Sequence, residues 1–373
     1  MDEFGSHEDV RVKTMEETDR KCPACGGVMD FSPRTGGLKC PYCDYEQEIP
    51  AAESTDTGAP AAAMEQDFAS AEETGNCDWG VEKKSVVCKS CGAESVYDAL
   101  QVAGECPYCG SNQVMEAAGK RTLAPGGVCV FKIDAKSAGA NFKNWLNRKW
   151  FCPGDAKKKA KPEAFHGVYL PYWTFDADTV SQYSGEYGRH KTRRVRDRTE
   201  HYTEWHSTRG VHQEFINDEL VSGIDPNRRD MSIFSLAEPF NTEDNLVYKS
   251  EYVAGFAAER YSVGLRDAWE KAKGFIAKKL RRSIADKITR ENRADTSRVH
   301  SVITAYSNVK YKYLLLPAWV STFRYKNKTY RFVVNGQTGK VGGQAPVSAW
   351  RVSAAVILAL LAAAVIYWIS QQT

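Results

Sequence analysis

Eight of the eleven cysteines fall into four C-x-x-C pairs, and the pairs themselves come two by two. Cys88 and Cys91 precede Cys106 and Cys109 with fourteen residues between the pairs; Cys22 and Cys25 precede Cys40 and Cys43 at the same interval, 66 residues earlier. A C-x-x-C knuckle turns two thiolates toward one point, and two knuckles about fifteen to twenty residues apart build a tetrahedral four-sulfur zinc site. Gly92 and Gly110 follow Cys91 and Cys109, where a left-handed backbone lets amides face the sulfurs; Asp44 stands at that place after Cys43, so the first copy is less regular. Two structural Zn2+ ions are therefore expected, one on Cys22, Cys25, Cys40 and Cys43 and one on Cys88, Cys91, Cys106 and Cys109. Disulfides are the competing reading. The odd cysteine count, and a polar, acidic first stretch that does not read as a secretory leader, favour thiols in a reducing compartment. Cys77, Cys129 and Cys152 lack knuckle partners and read as ordinary core or surface thiols.

Around these knuckles the chain divides into segments of different character. Residues 1–20 read as a disordered leader. Residues 21–49 form the first ribbon, too small to bury a core, so its metal supplies much of its folding free energy. Residues 50–76 are Ala-rich and acidic with no Lys or Arg, and are expected to be a flexible linker. The second ribbon spans 77–119, and 120–346 is a β-rich α+β domain. In that domain Phe142, Trp145, Leu146 and Trp150 predict a helix over 136–150, with both tryptophans in the core. Lys157, Lys158, Lys159 and Lys161 follow as a solvated basic loop. Aromatic and β-branched runs over 166–188, 199–215 and 299–334 predict strands. A stripe of Leu265, Trp269, Ala272, Phe275, Ile276, Leu280, Ile284 and Ile288 predicts a helix over 261–288 with Ser262 as its N-cap. Leu170-Pro171-Tyr172-Trp173 is echoed by Leu316-Pro317-Ala318-Trp319, either as a degenerate duplication or as two similar strand entries.

The last segment changes solvent. Residues 352–369 are eighteen uncharged residues, which at ~1.5 Å each span roughly 27 Å, the thickness of a bilayer's hydrocarbon core. Trp350 precedes the stretch, and Tyr367 with Trp368 close it, as interfacial aromatic belts do. A transmembrane helix over 350–369 is expected, a single C-terminal anchor. Arg351 on its N-terminal side argues for a cytoplasmic bulk, which agrees with reduced, metal-binding cysteines.

Other chemistry finds little footing. Gly336-Gln337-Thr338-Gly339-Lys340-Val341 has two residues between its glycines where a phosphate loop needs four, and Val341 where it needs a hydroxyl. His201 would point away from Glu204 and His206 on a strand, so these do not form a metal triad. Arg189, Lys191, Arg193, Arg194, Arg196 and Arg198 form a cationic run beside Tyr183, Tyr187 and Tyr202. It suits anionic lipid, an acidic protein or nucleic acid. A net charge of +3 and an acidic linker make nucleic acid the weaker reading.

The ribbon at 88–111, the block GVYLPYWTFDAD, the block LLLPAWVSTFRYKNKTYRFVVNGQTGKVGGQAP and the terminal span together resemble bacterial zinc-ribbon membrane proteins of the YdjG type, over roughly residues 85–370. Such proteins are often labelled TFIIB-type zinc-ribbon protein or primosomal replication-restart helicase. The resemblance implies a tail-anchored, non-enzymatic protein whose partners are phage-shock-protein-A-like or SPFH-type membrane proteins. The expectation is thus a multidomain chain: two small four-cysteine zinc ribbons, a β-rich α+β domain and one C-terminal transmembrane helix. Its expected role is that of an adaptor recruiting partner proteins at the cytoplasmic face of the membrane, with envelope stress as a setting. The alternative is a membrane-tethered nucleic-acid-binding protein.

Overall fold

The structure, a computed structural model, describes residues 20–50, 61–71, 83–90, 93–98, 106, 108, 111, 114–117, 123–160, 162, 165–195, 198–225, 227 and 231–372. Apart from Arg20, the expected leader lies outside these residues, as do Cys77, Cys91, Cys109 and parts of the expected linker at 51–60 and 72–76.

The first ribbon is a three-stranded antiparallel sheet of β1 (Asp30–Phe31), β2 (Leu38–Lys39) and β3 (Glu46–Gln47). Next come β4 (Gln66–Asp67), then β5 (Lys83–Cys88), β6 (Glu94–Asp98) and β7 (Val114–Ala117), with β5 between the other two. After β8 (Gly127–Val128), helix α1 (Ala135–Arg148) starts at Asp134, whose carboxylate accepts from the Ser137 amide at 2.7 Å, and buries Ala138, Phe142 and Leu146. The helix ends at Arg148, so Trp150 falls off its stripe. Trp150 was expected in the core and is instead 78% exposed, while Trp145 packs against the core. A short helix, α2 (Gly154–Lys159), carries the lysine run.

Strands β9 (His166–Val195) and β10 (Arg198–Ser222) form one long hairpin. Beyond it lie β11 (Leu246–Val247), β12 (Ala257–Glu259) and helix α3 (Leu265–Glu291). Strands β13 (Thr296–Tyr325), β14 (Lys328–Asn335) and β15 (Val341–Gly343) and helix α4 (Ala349–Gln372) complete the chain. The expected N-cap Ser262 lies outside α3, which begins after Gly264; Ser262 Oγ instead accepts from the Asp225 amide.

β9 and β13 are each 30 residues long and pair antiparallel over most of that length, roughly 100 Å of extended chain at ~3.3 Å per residue. Their burial splits each strand in two. Residues 168–177 and 311–323 are buried on both faces, as the near-continuous apolar run YKYLLLPAWVSTF requires. From Asp178 outward burial alternates: Thr179, Ser181 and Tyr183 lie under α3, whereas Val180, Gln182 and Ser184 face solvent. α3 fits there because its buried stripe, Ala268, Trp269, Ala272, Ile276, Leu280, Ile284 and Ile288, follows the helical period, with Phe275 exposed. The result is a body with a three-stranded arm.

The repeated Leu-Pro motif sits at the centre of the body. Leu170 pairs directly with Leu316, so the leucines that open the two copies face each other across the ladder. The Pro171 and Pro317 carbonyls accept from Gly223 and Gly336, both at 2.8 Å, and each glycine ends the return strand of its hairpin. This equivalence favours duplication over coincidence.

Two expected boundaries do not appear. Residues 61–71, placed in a flexible linker, lie on the body: β4 pairs with β13, the Ala63 amide donates to Asn245 at 2.7 Å, and Phe68 packs on Phe175 and Trp269. Composition emphasised the acidic and alanine residues, but the docking is done by Gln66 and Phe68 at an open strand edge. The boundary at 120 also dissolves, because β6 pairs with β12 and β12 pairs with β9, making the strands of the expected second ribbon part of the main sheet. α4 is long and apolar enough to cross a membrane and packs against no core. Arg351 in its first turn donates to the carbonyls of Trp150 and Cys152, both at 2.8 Å.

Candidate metal centres

The structure brings Cys22, Cys25, Cys40 and Cys43 together, with their sulfurs all within 4.8 Å of one another. Cys22 and Cys43 lie 3.5 Å apart, as do Cys25 and Cys40, far beyond disulfide bonding. A tetrahedral zinc with ~2.3 Å bonds sets sulfurs ~3.8 Å apart, so the four thiols fit such an ion after shifts of at most about an ångström. Each knuckle is closed by its own backbone: the Cys22 amide donates to the Gly27 carbonyl at 2.7 Å, and the Cys40 amide to that of Tyr45 at 2.8 Å. Gly26 has φ 75° and Asp44 φ 59°, so Asp44 adopts the left-handed turn that the sequence assigns to glycine. Asp is among the few residues that do so at low cost, and Lys39 pairs with it at 3.0 Å.

The thiols perturb one another. Burial opposes ionisation of Cys40, but the amides of Tyr42 and Cys43 outweigh it and lower its pKa to about 7. The Tyr45 amide favours the Cys43 thiolate, yet Cys22, burial, Cys25 and Cys40 together push that thiol up to about 12. Crowding thus lets one sulfur ionise at the expense of its neighbours; a divalent cation removes that conflict by neutralising all of them.

Of the second set, Cys91 and Cys109 lie outside the described residues. Cys88 and Cys106 are buried, as are their counterparts Cys22 and Cys40. The Cys88 amide donates to Ala93 at 2.9 Å and the Cys106 amide to Ser111 at 2.8 Å, the same closure five residues on as in the first set. Ser90 and Ser111 join these two knuckles at 2.8 Å. Of the unpaired cysteines, Cys129 and Cys152 are both buried; desolvation pushes the Cys129 thiol up to about 12.

The remaining motifs find other settings. The Gly336–Val341 string is a turn between β14 and β15. Its Gln337 and Thr338 amides donate to the Asn335 side chain, and its Gly336 and Gly339 amides to the Pro317 and Asn335 carbonyls. Those amides are spent on the turn and do not surround an anion. On β10, His206 stacks on Tyr187 and His212 contacts Glu214 at 2.9 Å. The cationic run caps the arm. Lys191 pairs there with Glu204 at 2.5 Å and Arg193 with Glu200 at 2.9 Å, cross-strand partners that soften its charge. Arg196 and the Arg198 side chain lie outside the described residues.

One cluster had no motif to announce it. Asp176 is 2% exposed on β9, accepts from the Asp218 amide at 2.6 Å, and lies beside Glu65; Lys312 contacts Asp218 at 2.7 Å and Glu65 at 3.8 Å. Burial, then Glu65, push the Asp176 carboxyl up to about 6. Glu65 belongs to the docked 61–71 segment, and its contacts with Lys310 and Lys312 on β13 help latch that segment down beside Asp176. An acid whose folded pKa lies above its ordinary 3.8 contributes stability that is full below about pH 4 and lost as pH rises through about 6. Asp176→Asn cannot ionise and should flatten that part of the stability-versus-pH curve. It should also gain on wild type by at most about 3 kcal/mol above pH 6, the worth of moving a carboxyl that far. Urea melts of both proteins across the window, differing only by a constant offset, would count against the latch.

The chain is 26% identical over 358 residues to the uncharacterized protein YdjG of Bacillus subtilis (strain 168), covering 90% of this chain and 92% of that one. No protein-family model and no solved structure matches it.

Proposed function

We propose that this chain is a non-enzymatic, tail-anchored adaptor, with two structural zinc ions, that assembles partner proteins on the cytoplasmic face of a membrane. The observation that carries the reading is the arm. One of its faces is covered by α3, while the other presents Val180, Val211, Phe215 and Ile303, the last two 59% and 70% exposed. Cross-strand pairing sets Val211 and Ile303 on either side of Gln182, in the row next to Val180. An apolar sheet face of this kind suits protein association. Partners of the phage-shock-protein-A-like or SPFH kind fit a chain held at the bilayer.

The basic run lies at the far end of the same arm, where Arg189 donates to the Asn292 carbonyl at the end of α3. Gly188, beside the run, pairs with Thr296 at one end of β13, whereas Tyr325 at the other end donates to Asp155, close to the first turn of α4. With roughly 100 Å of strand between them, we assign the run to an acidic partner in preference to lipid. Nucleic acid is the alternative, weakened by Glu200 and Glu204. Photo-crosslinkers at positions 215 and 303 of the full chain in its native membrane should capture one discrete protein, and Val211→Glu should abolish the adduct. Adducts with DNA or RNA would promote the alternative.

A further inference from the structure

The loop between α1 and α2 is tied to the base of the apolar helix. Arg351 holds the carbonyls of Trp150 and Cys152, and the Ser348 amide donates to Phe151 at 2.9 Å. Two hydrophobic groups of this loop face outward: the Trp150 and Phe151 rings stack 6.2 Å apart and are 78% and 41% exposed. Trp350, on the first turn of α4, is 79% exposed. The flanking helices and the loop carry Lys143, Arg148, Lys149, Lys157, Lys158 and Lys159 against a single carboxylate, Asp155, which is engaged by Tyr325.

We propose that this α1–α2 collar docks on the anionic headgroup region of the bilayer in which α4 is embedded. It would thereby fix how the body stands on the membrane. The inference rests on the reading of α4 as a transmembrane anchor. Aromatic rings seat at the headgroup level, and lysines around them meet negative lipid. Arg351 supplies the geometry, since its two bonds place Trp150 beside the residue at which the apolar helix begins. For a water-soluble surface, an exposed Trp-Phe pair in a loop flanked in sequence by six cations has no ready rationale; at a lipid interface each element has a partner.

The test uses the full chain in vesicles of neutral phosphatidylcholine and of phosphatidylcholine with phosphatidylglycerol. Hydrogen exchange of residues 149–159 should be slower in the anionic vesicles, and salt should erase the difference. Changing Lys157, Lys158 and Lys159 to Ser should raise exchange there by up to about fivefold per charge removed. Trp150→Ser should lose quenching by brominated lipid. Carbonate washing is applied to every sample. If α4 resists carbonate but 149–159 exchanges equally in both vesicles and in detergent, the collar is wrong and the anchor stands. Release of the chain by carbonate would overturn the anchor and the collar together.

Discussion

Cys40→Ser should cost the chain one of two zinc ions and unfold residues 21–49. Metal in a site of this type supplies on the order of 10–16 kcal/mol of apparent binding free energy, and three strands of two residues each have nothing comparable to offset its loss. Cys40 is also fully buried, and hydrogen bonds lower its thiol to about 7. The damage should stop at the seam where the ribbon meets the body. There Phe31 donates to Ala254 at 3.1 Å and packs on Tyr252, and Arg34 reaches Asp134 at 2.9 Å. Residues 250–256 should therefore exchange faster, while the β9–β13 ladder keeps its protection. Elemental analysis checks the count: two zinc per chain in wild type and one in the variant. A wild-type count of one would overturn the second site, iron in place of zinc would overturn the identity of the metal, and a variant that keeps both ions would overturn Cys40 as a ligand.

What could be read from the sequence depended on whether the signal was local. The knuckle spacing, the α3 stripe and the apolar terminal helix are periodic over short windows, and the structure contains a four-cysteine cluster and both helices. Trp150 was misplaced because one residue decided it: with α1 ending at Arg148, the helical period no longer applies two positions later. Docking of 61–71 was hidden for a different reason. Its partners, Asn245 and Tyr311, lie 182 and 245 residues away from Ala63 and Gln66, and no window joins them. The Glu65–Asp176–Lys312 cluster is non-local in the same way. So is the partial neutralisation of the basic run, which depends on the cross-strand register that opposes Arg193 to Glu200 and Lys191 to Tyr202, two residues from Glu204. The domain boundary at 120 failed because a two-cysteine-pair ribbon looks autonomous from spacing alone, whereas β6 pairs with β12 and so continues the sheet of the body.

That last point changes what loss of the proposed second metal should do. Taken as a separate module, the second ribbon would unfold alone in Cys88→Ser and leave 120–346 intact. The structure leads to the opposite expectation. Cys88, Cys106, Ala93 and Tyr108 share one buried cluster with Val168, Leu170, Leu314 and Phe234, and the Tyr108 ring stands edge-on to Phe234 at 5.8 Å. β6 also hydrogen-bonds to β12, which hydrogen-bonds to β9 next to the repeated Leu-Pro motif. Arg260 adds an ion pair to Glu94 at 3.4 Å. Freed of its metal, the ribbon no longer holds these groups, so Val168 and Leu170 lose a wall of their core and β12 loses one of its two neighbours. Removing the packing around large buried side chains costs about 2–5 kcal/mol per site, a large share of the ~5–15 kcal/mol that stabilises a typical domain. Cys88→Ser should therefore speed exchange in β12, in 166–171 and in the 233–240 segment, and lower the melting temperature of the body, while 21–49 keeps its own ion. If only 83–117 loses protection and the body melts as in wild type, the ribbon is an independent module after all and the continuous sheet carries little of the body's stability.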